Sequence, residues 1–131
     1  MRKIHILFLT LFLLFSLSCN SQPNPVDGNI SADNKDIKYK VTFVELGSVR
    51  CIPCQQMQPV MKSIGQKFST QVKVIFYDVW TEEGAPYGKK YAIEAIPTQV
   101  FLDETGKEYF RHVGFFPEEE LIKVLNQKGV K

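Results

Sequence analysis

Histidine, cysteine and tryptophan are scarce in this 131-residue chain, which holds two, three and one of them. A structural zinc site takes four ligands, usually in two close pairs. Only one close cysteine pair is present, Cys51 and Cys54, and the histidines His5 and His112 lie far from each other in sequence. Charge of one sign is lacking too. The 16 lysines and arginines stand against 14 acidic residues, and Lys89-Lys90 is the only adjacent basic pair beyond the first three residues. That balance gives no support for a nucleic-acid partner, which would call for a basic patch or stripe. No apolar run beyond Leu17 approaches the roughly 20 residues that cross a bilayer as a helix.

The one sustained apolar stretch is at the start. "MRKIHILFLTLFLLFSLSC" places Arg2 and Lys3 before an apolar segment from Ile6 to Phe15 and ends on small residues and Cys19. This is a positive region, a short hydrophobic region and a processing site, the form of a secretory signal over residues 1–18. It is too short for a membrane span. Cys19, after Ser16-Leu17-Ser18, resembles the lipobox of bacterial lipoproteins, whose cysteine is acylated and becomes the new N-terminus. Ser16 departs from the leucine preferred there, and an ordinary cut beyond Cys19 is the alternative. The expectation is an exported protein on the periplasmic or cell-envelope face, held to a bacterial membrane by a lipid on Cys19. Without Arg2 and Lys3 the basic residues fall to 14, equal to the acidic ones.

Residues 19–36, "CNSQPNPVDGNISADNKD", are polar and rich in Asn, Asp, Ser and Pro. Such a segment buries too little apolar surface to offset its ordering entropy and reads as a flexible tether. Residues 37–131 are long enough for one domain with one core. No internal repeat is visible.

Within that domain "IKYKVTFVEL" alternates and then turns apolar, as a strand entering a buried sheet does. Gly47-Ser48 breaks it. From Cys51 to Phe68 the apolar residues Met57, Val60, Met61, Ile64 and Phe68 recur at helical spacing, with Pro59 inside. "VKVIFYDVW" is nearly continuous apolar sequence, the pattern of a strand covered on both faces. A loop and short helix follow over "TEEGAPYGKKYAI". "TQVFLDETGKEYFRHVG" reads as a hairpin around Asp103-Glu104-Thr105-Gly106. Pro117 starts a last helix with Glu118, Glu119 and Glu120 in its first turn, where carboxylates suit the positive end of the dipole. The order β-α-β-α-β-β-α implies an α/β fold: a mixed central sheet, parallel where helices intervene and antiparallel in the hairpin, with helices on both faces.

The thiol pair falls at the break between the first strand and the first long helix. Unpaired amide N–H groups and the helix dipole favour an anion there, which lowers the pKa of Cys51 and makes it the reactive thiol. Cys54, one turn on and deeper, is placed to attack a mixed disulfide on Cys51. A disulfide that served only as a crosslink would close a very short loop and stabilise little. A copper(I) site of soft ligands, Cys51 and Cys54 with His112, is the competing reading, and a redox-inert binding module is another. Glu45 lies among Phe43, Val44 and Leu46, where burial raises a carboxyl pKa and suits it to move a proton to and from Cys54. Trp80 and Tyr91 are expected to be packing residues and His112 an ordinary strand residue.

From about Tyr39 to Gln127 the chain resembles the thioredoxin superfamily. Cys51-Ile52-Pro53-Cys54 matches the family's Cys-X-X-Cys, with proline before the second cysteine. Pro59 matches its helix proline, Ile96-Pro97-Thr98 its cis-proline loop, Gly114 the glycine after the last strand, and Glu45 the place of a buried acid. The resemblance implies a thioredoxin-like fold and a thiol–disulfide oxidoreductase that needs no cofactor beyond its own disulfide. It implies Cys51, Cys54 and Glu45 as catalytic, with Ile96, Pro97, Arg50 and Pro53 at the substrate. Protein thiols and disulfides are then the partners, a membrane shuttle the electron donor, and a monomer the expected state. Pro53 and the Ile before Pro97 favour a reductase. Arg50 stands where the family carries tryptophan, and its charge is expected to favour the Cys51 thiolate.

Overall fold

The computed structural model describes residues 38–131. The expected signal, the tether and Cys19 lie outside the described residues. Seven elements follow in chain order: β1 (Val41–Gly47), α1 (Ile52–Lys67), β2 (Val72–Asp78), α2 (Ala85–Lys90), β3 (Thr98–Asp103), β4 (Glu108–Val113) and α3 (Glu118–Asn126). This is the β-α-β-α-β-β-α order expected. No helix of the described residues is long and apolar enough to cross a membrane.

The four strands form one sheet in the order β2-β1-β3-β4. β1 and β2 are parallel, and α1 supplies the long crossover that parallel neighbours require. β3 runs antiparallel to β1, and β4 antiparallel to β3. The β3–β4 turn is fixed by Asp103, whose Oδ1 accepts hydrogen bonds from the Thr105 amide, the Thr105 hydroxyl and the Lys107 amide.

Alternation along β1 divides the core in two. Val41 and Phe43 face α1 and α3, joining Met57, Val60, Met61 and Ile64 of α1, Leu121, Val124 and Leu125 of α3, and Phe101 of β3. Phe43 stacks on Phe101 with ring centroids 5.0 Å apart. Val44 and Leu46 face the other way, with Val100, and are covered by Tyr87, Tyr91 and Ile93 in and after α2. Helices thus pack on both faces of a mixed sheet. Glu118 of α3 accepts hydrogen bonds from Ser63 and Lys67, tying α3 to α1 outside the apolar contact.

β2 departs from the sequence reading. Its run of apolar residues suggested a strand covered on all sides, but Val74 to Asp78 are only half-buried. Both faces are packed, Val74 and Phe76 against one cluster and Tyr77 against the other. The exposure arises because β2 is the edge of the described sheet, and a strand edge with no neighbour stays open to solvent.

Candidate redox site

The site is built where β1 gives way to α1. Val41, Phe43, Glu45 and Gly47 share one face of β1, since side chains alternate along a strand. At Gly47 that face meets α1 at very short range. A Cβ on Gly47 would lie 3.2 Å from both Cβ and Sγ of Cys54 and 3.4 Å from the Phe76 ring. Glycine lets the helix come down onto the strand, and Cys54 is the side chain in contact.

Residues 48–50 are clamped from β2. The Asp78 carboxylate accepts hydrogen bonds from the Val49 amide (3.1 Å), the Trp80 amide (3.0 Å) and the Ser48 hydroxyl (3.3 Å). Burial pushes the Asp78 carboxyl up, but these three donors and the Arg50 charge outweigh it and leave its pKa below the ordinary value. The Cys51 amide then bonds the Ser48 carbonyl, and Gln55 Nε2 bonds the Val49 carbonyl. The result is a fixed entry into α1, with Cys51 as its N-cap residue in extended conformation and Pro53 in the first turn. Proline is tolerated there because the first amides of a helix have no intrahelical acceptor.

Cys51 and Cys54 form a disulfide with their Cα atoms 5.2 Å apart. Cys54 is fully buried, and Cys51 keeps 8% exposure. This is the difference in depth expected of an outer, attacking thiol and an inner, resolving one. Ile52 and Pro53 are exposed beside them, so the pair opens towards solvent.

The Ile96–Pro97 peptide bond is cis. Pro97 is buried and its carbonyl accepts the Gly114 amide at 2.8 Å. Gly114 has φ +94°, a left-handed value that a glycine adopts without steric penalty. The loop before Pro97 borders a shallow cavity of about 260 Å³ lined by Val79, Trp80, Ile93, Glu94, Ala95 and Ile96. Arg50 reaches this cavity through Trp80, its guanidinium lying 5.8 Å from the ring centroid. Trp80 is therefore not the packing residue expected from sequence. It is 53% exposed and forms, with Arg50, an open shelf beside the cavity. Its position just past the end of β2 leaves it about half open to solvent. Tyr91 does pack as expected.

Glu45 has no solvent exposure. Desolvation pushes its pKa up to about 8, only partly opposed by a hydrogen bond from Gln99. Gln99 Nε2 donates to Glu45 Oε1 at 3.3 Å. Gln99 and Asp78 are the residues that sequence reasoning passed over. Gln99 carries a faint signal, a polar residue in the apolar strand "TQVFLD" just after Pro97. Asp78 carries none, since a carboxylate ending a strand usually marks only a turn.

His112 sits on β4, stacked on Phe116 at 4.2 Å, with Nε2 3.1 Å from the Phe115 carbonyl oxygen. It is not gathered with the two cysteines. Among the described residues no three of His, Cys, Asp or Glu form a group that could hold a metal ion.

Comparison with known proteins agrees with this geometry. The family model described as a thioredoxin-like domain matches residues 30–129. A chloroplastic thioredoxin Y of Oryza sativa subsp. japonica is 31% identical over 66% of this chain and 49% of its own length. Thioredoxin 1 of Synechococcus elongatus is 34% identical over 65% of this chain and 77% of its own. The chain thus spans about half of the first relative and about three-quarters of the second. The crystal structure of the germline-specific thioredoxin Deadhead of Drosophila melanogaster superposes with a TM-score of 0.59 at 25% identity, covering 67% of this chain and 80% of that one. The chain belongs to the thioredoxin-like domain family, with Cys51 and Cys54 joined as a disulfide at the start of α1.

Proposed function

We propose that this protein is an exported reductase of protein disulfides, held to a membrane by a lipid on Cys19. The observation that carries the chemistry is the placement of the pair: Cys51, at the N-cap position of α1, keeps a small exposed area, and Cys54 is sealed beneath it against Gly47.

In the reduced protein the Cys51 thiolate attacks one sulfur of a substrate disulfide. A mixed disulfide forms, and the first substrate thiolate leaves and takes a proton from solvent. Cys54 then gives its proton to the Glu45 carboxylate and attacks the Cys51 sulfur. The Cys51–Cys54 disulfide forms and the second substrate thiolate is released and takes a proton from solvent, so two electrons pass to the substrate. A carboxyl with a pKa of about 8 suits this exchange, because an acid–base group works best when its pKa lies near the operating pH. A dithiol donor returns the pair to the reduced state; a donor in the membrane fits a tethered protein. Arg50, Trp80, Ile96 and Pro97 form the wall against which the substrate chain lies, with Pro53 at the opposite lip.

The test is turnover of a disulfide substrate in the presence of a dithiol. Cys51→Ser abolishes it, and activity that persists in this variant sinks the assignment. For the anchor, Cys19→Ala releases the protein from membranes; membrane retention of that variant removes the lipid from the account.

A further inference from the structure

Among the described residues, Gln99 alone hydrogen-bonds the Glu45 side chain, and neither residue has any solvent exposure. One bond is made, from Gln99 Nε2 to Glu45 Oε1. Two buried oxygens are left without a partner, Glu45 Oε2 and Gln99 Oε1. When the carboxyl is ionised both are acceptors, and a buried acceptor left unpaired carries its full desolvation cost. A single proton on Oε2 resolves both. The carboxyl O–H then donates to Gln99 Oε1 while the Gln99 amide N–H donates to Glu45 Oε1. A carboxylic acid and a primary amide are complementary in this reciprocal way, whereas a carboxylate has no donor to offer the amide oxygen.

The sheet register brings the pair together. Glu45 is opposite Gln99 on β3, and Gln99 is opposite His112 on β4. Residues directly opposite in antiparallel strands carry Cβ atoms about 4.5–5.5 Å apart, so acid, amide and imidazole make one row across three strands. On the other side Glu45 is opposite Phe76 of β2, which offers no charge. From α1, Cys54, bonded to Cys51, meets this face of β1 at Gly47, two residues on from Glu45. His112 and the thiols are therefore the ionising groups that these elements bring to the row, and the His112 ring is engaged by Phe115 and Phe116.

We propose that Gln99 is a positioning residue for the thiol chemistry: its amide holds Glu45 in the protonated form with both oxygens paired, so that the proton taken from Cys54 is stored in the core until reduction of the disulfide returns it. This rests on the proton-carrier role of Glu45 given above. The balance is simple. Oxidation of the pair moves one proton from Cys54 Sγ to Glu45 Oε2. Reduction of the disulfide by a dithiol donor makes Cys54 the leaving thiolate, and the same proton goes back to it.

The experiment is infrared spectroscopy of the oxidised full-length protein near neutral pH, read beside the rate of its reduction by a dithiol. The native protein shows a carboxylic-acid C=O band at the low wavenumber of a hydrogen-bonded acid, and Glu45→Gln removes it. In Gln99→Leu the band moves to higher wavenumber and reduction slows roughly tenfold, a part of the 10²–10⁴ that a positioned acid–base group contributes. Gln99→Met serves the same purpose if the leucine variant folds poorly, and the band of the native protein is a test that needs no Gln99 variant. Absence of an acid band in the native protein overturns the proposal, as does an unshifted band with a native rate in the Gln99 variants. If Glu45→Gln itself reduces at the native rate, the carrier role of Glu45 fails; if it is slow while the Gln99 variants match the native protein, only the role of Gln99 fails.

Discussion

Gly47 and Cys54 are in contact at a distance tighter than a side chain ordinarily finds: a Cβ at Gly47 would sit 3.2 Å from two atoms of Cys54, which would have to give way. β1 and α1 are each fixed by packing on several sides, so neither can simply withdraw. Gly47→Ala is expected to destabilise the oxidised protein by about 1–3 kcal/mol, the usual range for an overpacked core. A free Cys54 thiol can rotate away, whereas a bonded sulfur cannot. The reduced form is therefore hurt less, and the reduction potential rises. Denaturant unfolding of both redox forms checks this; equal losses in the two would contradict it.

This contact also marks where reading the sequence stops. The apolar spacing from Met57 to Phe68 and the break at Gly47-Ser48 were enough to place α1 and its junction with β1, and "DETG" was enough to place the hairpin. The placement of Cys51 and Cys54 and the burial of Glu45 were legible because their signals are local: a thiol at a helix start, a carboxyl in an apolar run. Gln99 was not, because its meaning depends on the β1–β3 register, which joins residues 54 apart. The same holds for Asp78, two of whose bonds reach back about 30 residues, to Ser48 and Val49 in the loop before Cys51. Trp80 was misread for a related reason, since an aromatic residue after a strand is usually packed and only the edge position of β2 leaves it open.

Burial of Glu45 makes stability depend on pH. In the unfolded chain its carboxyl ionises near the ordinary 4.5, and in the folded protein at about 8. Between these values the unfolded chain has lost its proton and the native state has not. The contribution of Glu45 is thus fully present below about pH 4.5 and is lost as the pH rises towards 8, by at most about 1.4 kcal/mol per pH unit. Asp103 behaves oppositely, its pKa lowered to about 2 chiefly by the Thr105 hydroxyl, so its contribution is lost only on acidification. Unfolding of the oxidised protein at about pH 5 and about pH 8 is expected to show the loss, and Glu45→Gln to flatten it. A flat native profile across that window would mean that the carboxyl is ionised in the fold.

Asp78 holds the loop before Cys51 through two hydrogen bonds, from Ser48 and Val49, and accepts a third from the Trp80 amide. Asp78→Ala removes both acceptor oxygens, and with them all three bonds, and is expected to cost about 1–3 kcal/mol of stability. Turnover should fall by roughly tenfold as the thiol loses its fixed position, and Asp78→Asn, which keeps one oxygen acceptor, should lie between. Stopped-flow reduction of a disulfide substrate by the three proteins provides the order; an Asp78→Ala rate equal to native would show that the loop does not set the position of Cys51.

Ala92, after α2, has φ +49°. A left-handed conformation costs an L-residue about 1–2 kcal/mol, while glycine loses about 0.5–1 kcal/mol in extra chain entropy. Ala92→Gly should therefore raise stability by up to about 1 kcal/mol without touching the redox pair. A lower denaturant midpoint in this variant would contradict the strain.

The central claim, a dithiol pair that gives electrons to protein disulfides, is tested most directly by the reduction potential of Cys51–Cys54, equilibrated against glutathione or dithiothreitol. The account predicts a value well below about −220 mV, at which the reduced pair is a donor that must itself be supplied with electrons. A value near about −120 mV would contradict it, because such a pair withdraws electrons and installs disulfides instead.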